Sequence, residues 1–549
     1  MAVAREYRSA WWRGDLIGGL TVGAMLVPQS MAYAELAGMP PQAGFYAALG
    51  ALLVYAVFGT SRHLGVGPEP GTALLAAAGV GGLAGGDPAR YAALMAALAI
   101  TVAVICVVAA ALRLGFVAAV LSRPVLVGYI TGVGLTLVSS QLGALLGVSI
   151  EADRLLPRVR EVLAEIGDVH TPTLVLGTAA LATILVLRRV APRLPAGLLV
   201  VAAASVVLAA LGEVADGVAV VGALPEGLPR PGVPDVDGGD LLQLIPVAAG
   251  IALVGFTDNL LTARSVAGRR HQTIDANQEL LALGLTNLGS GLVRGFPVSS
   301  SASRTAVPAA LGSSTQLVSV IAAGFVVAAL TAARPLLEHI PRAALAAVIV
   351  AAAVAIIDIA GLRALWRLNR EEAVLAAVAA AGVVVFDVLI GVVIAIVLST
   401  LVAMAHVARP HDAVLGDLPG LDGWVDIDAY RQAVTEPGLL VYRFDAPLFF
   451  VNADRFCDRV EEVLADNAGD EEWLVLDFEG VGALDSTAAD ALAGLLVRLR
   501  ATGIVHVGVA RANHEVLGLL GRAELLAPVG PIVVYPTINA AVRAYRQRT

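Results

Sequence analysis

The chain of 549 residues is 58% hydrophobic, has a mean hydropathy of +0.81 and carries a formal net charge of −9. A water-soluble globular protein of this length does not normally show such values, so the sequence reads as an integral membrane protein. Its apolar runs are rich in Ala, Val and Leu at helical length and lack the alternation of a transmembrane barrel, which makes the spans helices. Lysine is absent throughout, which excludes a lysine-bearing P-loop, a Schiff-base lysine and a kinase lysine, and with them ATP-driven transport by this chain alone. The acidic balance argues against a nucleic-acid partner. Cys106 and Cys457 are too few for a disulfide framework or a zinc site and are expected to be inert thiols. No metal-ligand cluster, nucleophile elbow or catalytic triad signature points to an enzyme.

In chain order, Arg5, Arg8, Trp11, Trp12 and Arg13 make residues 1–15 a basic, aromatic interfacial anchor, expected on the cytoplasmic side. No cleavable signal peptide is expected, because the first apolar segment is long and more apolar segments follow directly. The first span, residues 16–36, contains Pro28, Gln29 and Tyr33, polar groups midway along a kinked helix. After a span at residues 42–58 comes GVGPEPGTALLAAAG, residues 65–79, where a Gly/Pro-rich extended segment with Glu69 leads into a short apolar helix from Gly71 and Thr72. The GxG of Gly65 and Gly67 has no strand–helix alternation around it and is no dinucleotide site. Apolar runs continue at 91–112, 116–146 (two segments broken near Arg123 and Pro124), 172–187 and 194–211. Arg188, Arg189 and Arg193 form a basic turn, whereas Glu213 to Asp240 is acidic and Pro/Gly-rich, so the basic turns are expected inside and the acidic loop outside.

The second half opens at residues 241–267 with Asp258 inside an apolar span and Thr262 one turn further on the same face. An intramembrane carboxylate is costly and is a functional candidate, or else the partner of a buried arginine. Arg264, Arg269, Arg270 and His271 close that span on the inner side, and a helix with Asn277, Glu279 and Asn287 follows. Residues 295–312, GFPVSSSASRTAVPAALG, are a polar insert between long apolar spans. Pro297 opens and the serines cap a short helix beginning near Ser300, with Arg304 in its first turn. A helix N-terminus offers unpaired amides and about half a positive charge, and Arg304 adds a full one, which together suit an anion. The competing reading is an interfacial loop whose arginine snorkels to headgroups. Two short, Gly/Pro-interrupted segments, one in each half, are the pattern of a binding site between inverted repeats. Spans near 316–332, 343–357, 373–386 and 388–407 complete the membrane part, with Arg363, Arg367 and Arg370 marking another inside turn.

Beyond Arg409, Pro410 and His411 the composition becomes that of a soluble domain. Residues 408–435 read as a linker. From residue 436 the strands LLVYRFD, PLFFVNA, EEWLVLDFEG, IVHVGVAR and GPIVVYP alternate with helices, giving a small α/β domain with a mainly parallel sheet.

With VPQSMAYAELAGMPPQAGFYA, GVGPEPGTALL, RPVLVGYITGVGLTLVSSQL, DANQELLALGLTNLGSG and FPVSSSASRTAV in this order, the sequence resembles the SulP family of anion transporters with a C-terminal STAS domain. The resemblance covers nearly the whole chain. It implies an α-helical membrane protein of about fourteen segments in a 7+7 inverted repeat (residues 16–211 and 241–407 of a 16–407 transport domain), a cytoplasmic STAS domain at 436–549, and a homodimer in the cell's inner (plasma) membrane. It also implies that Gln29, Tyr33, Glu69, Gly71, Thr72, Ser301, Ala302, Ser303 and Arg304 line the anion site, with the amides around Gly71, Thr72 and Ser303 as donors. Asp258 with Thr262 would hold the coupling ion, sodium or a proton, and no other cofactor is expected. Glu69 stands where the family commonly carries Asp or another residue. In the STAS domain, Asp485, Ser486 and Thr487 resemble the phosphorylation loop of anti-sigma-factor antagonists, which makes them regulatory candidates, with cytoplasmic regulators as partners. The resulting expectation is a secondary active transporter, most of all for cation-coupled sulfate uptake. Sodium-coupled bicarbonate transport, proton-coupled dicarboxylate transport and a membrane-anchored STAS signalling protein are the alternatives.

Overall fold

The computed structural model describes residues 7–119, 122–150, 152, 154–192, 194–211, 216–225, 227–267, 273–386, 388–420, 423–466, 471–528 and 530–548. Arg5, Arg193, Glu213, Arg269, Arg270 and His271, expected in the anchor and charged turns, lie outside the described residues. The chain divides into two units, Met1–Ser399 and Thr400–Thr549.

The first half of the first unit is built on α1 (Trp12–Leu36), α2 (Pro41–Phe58), α3 (Pro70–Val80), α4 (Pro88–Ala111), α5 (Arg123–Ser140), α6 (Thr171–Val190) and α7 (Ala196–Leu211). A proline in the first turn starts α2 to α6, where its missing N–H costs nothing. The second half repeats the series with α8 (Gly238–Ala267), α9 (Ala276–Leu292), α10 (Ala302–Ala310), α11 (Leu317–Thr331), α12 (Arg342–Ile356), α13 (Arg370–Val385) and α14 (Val388–Ala408). Among the described residues eight helices are long and apolar enough to cross a membrane, and α3, α7 and α11 are shorter apolar helices. Two short strands, β1 (Val66–Gly67) ahead of α3 and β2 (Ser299–Ser300) ahead of α10, pair with each other.

Packing shows how the halves are related. Helix α1 lies against α11 as α8 lies against α4; α2 meets α11 as α9 meets α4; α5 meets α13 as α12 meets α6; and α10 lies on α1 as α3 lies on α8. Each pairing maps onto its counterpart when seven is added to one helix number and subtracted from the other, as a two-fold relation between repeats requires. The pattern separates a core bundle, α1–α4 with α8–α11, from a second bundle built on α5, α6, α12 and α13. Helix α14 joins the latter: its Gly391 faces Val383 of α13, and its Ile394 faces Gly382.

Small residues set the closest approaches, as expected where lipid supplies no hydrophobic drive between helices. A Cβ on Gly44 of α2 would lie 1.8 Å from the Ser30 carbonyl oxygen of α1, so this crossing is backbone on backbone. Glu279 of α9 is fully buried, and several donors converge on it. They are the Tyr55 hydroxyl (2.9 Å), the amides of Thr60 (2.8 Å) and Ser61 (3.0 Å), and the Thr60 hydroxyl. That saturates a buried carboxylate and ties α9 to the end of α2 and the chain leading to β1.

The second unit holds a six-stranded sheet. Its strands are β3 (Asp412–Asp417), β4 (Trp424–Asp426), β5 (Leu439–Phe444), β6 (Trp473–Asp477), β7 (His506–Ala510) and β8 (Ile532–Tyr535), in the order β4-β3-β5-β6-β7-β8. Strands β5 to β8 are parallel, and β3 is antiparallel to both its neighbours. Alternate strand residues face α15 (Ala453–Asp466), α16 (Ser486–Ala501) and α17 (His514–Arg522) on one side and α18 (Ile538–Arg548) on the other. Two expectations are corrected here. Residues 408–435 are not a bare linker, because β3 and β4 extend the sheet across them. PLFFVNA forms a turn leading into α15 rather than a strand: Asn452 donates to the Pro447 carbonyl (3.0 Å) and accepts from the Phe449 amide (3.0 Å), folding the segment on itself. Cys106 and Cys457 are buried, as expected of inert thiols, and burial pushes the Cys457 thiol up to about 11.

Two substitutions test this packing. Gly44→Val should force α1 and α2 apart, costing roughly 1–3 kcal/mol, and lower the thermal midpoint of the purified protein. Glu279→Gln presents an NH2 group to donors and should cost about 2–3 kcal/mol; an unchanged midpoint would contradict the network.

Candidate anion site

The two extended segments ahead of the short helices form the antiparallel β1–β2 ribbon, in which Val66 faces Ser300 and Gly67 faces Ser299. The Ser301 amide donates to the Gly65 carbonyl (3.0 Å), and the Gly65 amide donates to the Thr305 hydroxyl (3.0 Å). Helix α3 therefore starts just past one end of the ribbon and α10 just past the other. Pro68 and Pro297 flank the ribbon, which keeps it extended before each helix. The helix expected from Ser300 begins at Ala302, because Ser299 and Ser300 pair with β1.

Two asparagines that the sequence does not mark as site residues hold β2 in place. Asn287 of α9 accepts from the Val298 amide and donates to its carbonyl, both at 3.0 Å. Asn259 of α8, fully buried, accepts from the Ser300 amide at 2.7 Å. Ser290 donates to the Phe296 carbonyl at 2.6 Å. The sequence signal for Asn259 is its place beside Asp258 in an apolar span; only the fold brings it to β2.

Arg304 is 1% exposed, so it does not lie among headgroups. Its Nη1 donates to Gln29 Oε1 of α1 at 3.2 Å, while Nε and Nη2 are buried with no hydrogen-bond partner among the described residues. The GxG of β1 makes room for it: a Cβ on Gly65 would lie 2.8 Å from Arg304 Cβ, and the side chain passes Gly67. Tyr33, Glu69 and Asp258 all lie within electrostatic reach of Arg304. Tyr33 is buried one turn beyond Gln29. A guanidinium, a phenol and two carboxylates thus share a single low-dielectric region.

The two helix tips are not equivalent. Glu69 caps α3 with its own carboxylate, accepting from the Thr72 amide at 2.9 Å. The donor expected from the Thr72 amide is therefore turned to Glu69. On α10, Ser301 makes no side-chain cap, Ala302 and Ser303 are exposed, and the first-turn amides have no intrahelical acceptor. The Ser301 and Ser303 hydroxyls stand 3.1 Å apart. Asp258 Oδ2 accepts from the Ser300 hydroxyl at 2.8 Å.

A cavity of about 500 Å³ approaches from the face where α5 begins, lined by Arg123 and Ile130 of α5, Thr257, Leu261 and Arg264 of α8, and Asp358. It reaches Thr257, the residue before Asp258. On the opposite face a second cavity of about 670 Å³ is lined by Glu35, Tyr91, Gln141 and Arg342. There Arg342 at the start of α12 and Glu35 near the end of α1 form an ion pair of 3.8 Å across the two bundles.

In the second unit, Asp485 caps α16 by accepting from the Ala488 amide (2.8 Å) and also accepts from the Phe450 amide (3.0 Å). Ser486 and Thr487 are exposed at that helix start. A phosphate on Ser486 would sit beside the capping carboxylate, a like-charge neighbour that weakens the pull of the helix terminus.

The sulfate permease family matches residues 12–379, and the STAS domain matches residues 430–541. A probable sulfate transporter of Mycobacterium tuberculosis is 47% identical over 544 residues, 99% of this chain and 97% of that protein. The chloroplastic sulfate transporter 4.1 of Arabidopsis thaliana is 30% identical, covering 99% of this chain and 82% of its own. The fold is similar to that of the murine solute carrier 26 family member A9 anion transporter in its inward-facing state, with a TM-score of 0.91 at 22% identity over 100% of this chain and 93% of that one. The transmembrane domain of the cyanobacterial bicarbonate transporter BicA gives a TM-score of 0.63 at 22% identity, over 71% of this chain and 98% of that one. Two inverted helical repeats meeting at a β-ribbon, followed by a STAS domain, thus belong to a multi-pass membrane protein of the sulfate permease family, a transporter rather than an enzyme.

Proposed function

We propose that the protein is a secondary active importer of a small anion, sulfate first, driven by a co-transported cation. Arg304 carries this reading: it is an arginine buried at a helix start, with two of its nitrogens lacking a partner among the described residues. A buried guanidinium with unpaired N–H donors is costly, and an oxyanion that accepts from it and from the α10 amides offsets that cost. The names of the mycobacterial and plant relatives favour sulfate among small anions.

Charge balance supports the cation. Glu69 and Asp258 ionised beside one Arg304 leave the site with net negative charge, which repels an anion. A proton or a sodium ion at Asp258, where the Ser300 hydroxyl already stands, removes that repulsion and couples the two fluxes. Movement of the core bundle against the second bundle would expose the site alternately to the two cavities, and the Glu35–Arg342 pair would part when the face it bridges opens. Exposed arginines at Arg123, Arg189, Arg264, Arg363 and Arg367 support a cytoplasmic placement of that end of the helices and of the N-terminus in a plasma membrane. The STAS domain belongs in the same compartment, and a homodimer is the assembly we favour.

Labelled sulfate uptake into proteoliposomes under imposed proton or sodium gradients tests this, with bicarbonate and dicarboxylates as competitors. Arg304→Ala should lower uptake roughly a hundredfold, the loss of a charge-assisted pair worth about 3 kcal/mol. Asp258→Asn should abolish the gradient dependence. Uptake indifferent to both substitutions would overturn the assignment.

A further inference from the structure

Arg188 stands in a basic turn of the sequence, yet its side chain does not behave as its neighbour's does. Both residues lie in the last turn of α6, and Arg189 is exposed. Arg188 is only partly exposed and turns inward, donating from Nη1 to the carbonyl of Ala351 at 2.5 Å. Ala351 is fully buried on α12. An arginine at a helix end in a membrane ordinarily snorkels outward, so an inward rotamer against buried backbone needs a reason.

The surroundings supply one. Val348 lies one turn before Ala351 and packs where α7 meets α1: a Cβ on Gly197 would be 3.6 Å from Pro28 Cγ and 3.7 Å from Val348 Cγ2. Arg188 thus reaches the seam between the second bundle and the stretch of α1 that carries Gln29 and Tyr33. The Tyr33 hydroxyl lies in the electrostatic field of both Arg304 and Arg188. One guanidinium is mounted on the core bundle and the other on the bundle packed against it. The Ala351 carbonyl is the only hydrogen-bond partner of Arg188 among the described residues, which leaves most of its five N–H donors uncommitted.

We propose that Arg188 is a specificity-determining residue, a second guanidinium that the opposing bundle presents to the anion across from Arg304, so that the site favours dianions over monoanions. The proposal rests on Arg304 as the primary anion ligand. A fixed positive charge attracts a dianion twice as strongly as a monoanion; in a partly buried setting the dianion gains roughly tenfold in affinity and the monoanion roughly threefold. Because the two cations sit on different bundles, the preference also depends on how the bundles are arranged.

The test uses the full-length protein in proteoliposomes and in detergent, with sulfate as the dianion and nitrate as the monoanion. Uptake and anion-dependent thermal stabilisation are both measured for the wild type, Arg188→Gln, Arg188→Lys and Arg189→Gln. Arg188→Gln should weaken the sulfate response roughly tenfold and the nitrate response roughly threefold. Arg188→Lys, which keeps the charge, should lie between it and the wild type. Arg189→Gln, which removes an exposed charge from the same helix end, should match the wild type. Equal losses for both anions, or unchanged selectivity in Arg188→Gln, would overturn the inference while the function stands. No response of the wild type to any anion would overturn the function, and this inference with it.

Discussion

A guanidinium at the centre of an apolar bundle is the constraint around which the rest of the structure is arranged. Arg304 cannot reach water or headgroups, so the protein must seat it among polar groups, and in the proposed function an anion completes that shell. The β1–β2 ribbon achieves the seating by pairing backbone that would otherwise be unsatisfied in the membrane, with Asn259 and Asn287 completing the edge of β2. Irregular chain at this depth survives because its polar groups find partners inside the protein. The short helices are therefore a consequence of the ribbon as much as its frame.

The site is chemically lopsided. Glu69 closes the start of α3, whereas α10 keeps its first amides open beside Arg304. A symmetric pair of tips would offer an anion two partial charges and no dependence on a cation. In the mechanism we propose, the two carboxylates next to the cationic end tie the anion's affinity to whatever cation neutralises them. Coupling of that kind would follow from electrostatics within one pocket and would need no long-range pathway.

Backbone-to-backbone crossings such as Gly44 on Ser30 make the core bundle stiff, and the saturated Glu279 locks the approach to β1 onto α9. Stiffness of that kind would let the ribbon travel with its bundle as one body. A contact across the two bundles differs in kind, the ion pair of Glu35 and Arg342. Polar links of this sort can be exchanged at modest cost, which suits surfaces that slide past each other.

The membrane class, the helical spans, the two interrupted segments and the soluble α/β domain are legible in the chain alone, because hydropathy, proline position and strand–helix alternation are local properties. Arg304, Gln29, Tyr33 and Asp258 are legible too, since polar groups in apolar spans are conspicuous. Which of these groups meet is a different matter. That Ser300 donates to Asp258, that Asn259 accepts from the Ser300 amide, and that Arg188 turns to the Ala351 carbonyl are long-range facts. Each depends on helices far apart in the chain being brought together by packing, and no local periodicity encodes that pairing. The strand-like composition of PLFFVNA yields for a related reason, overruled by the hydrogen bonds that Asn452 makes once the segment has folded on itself.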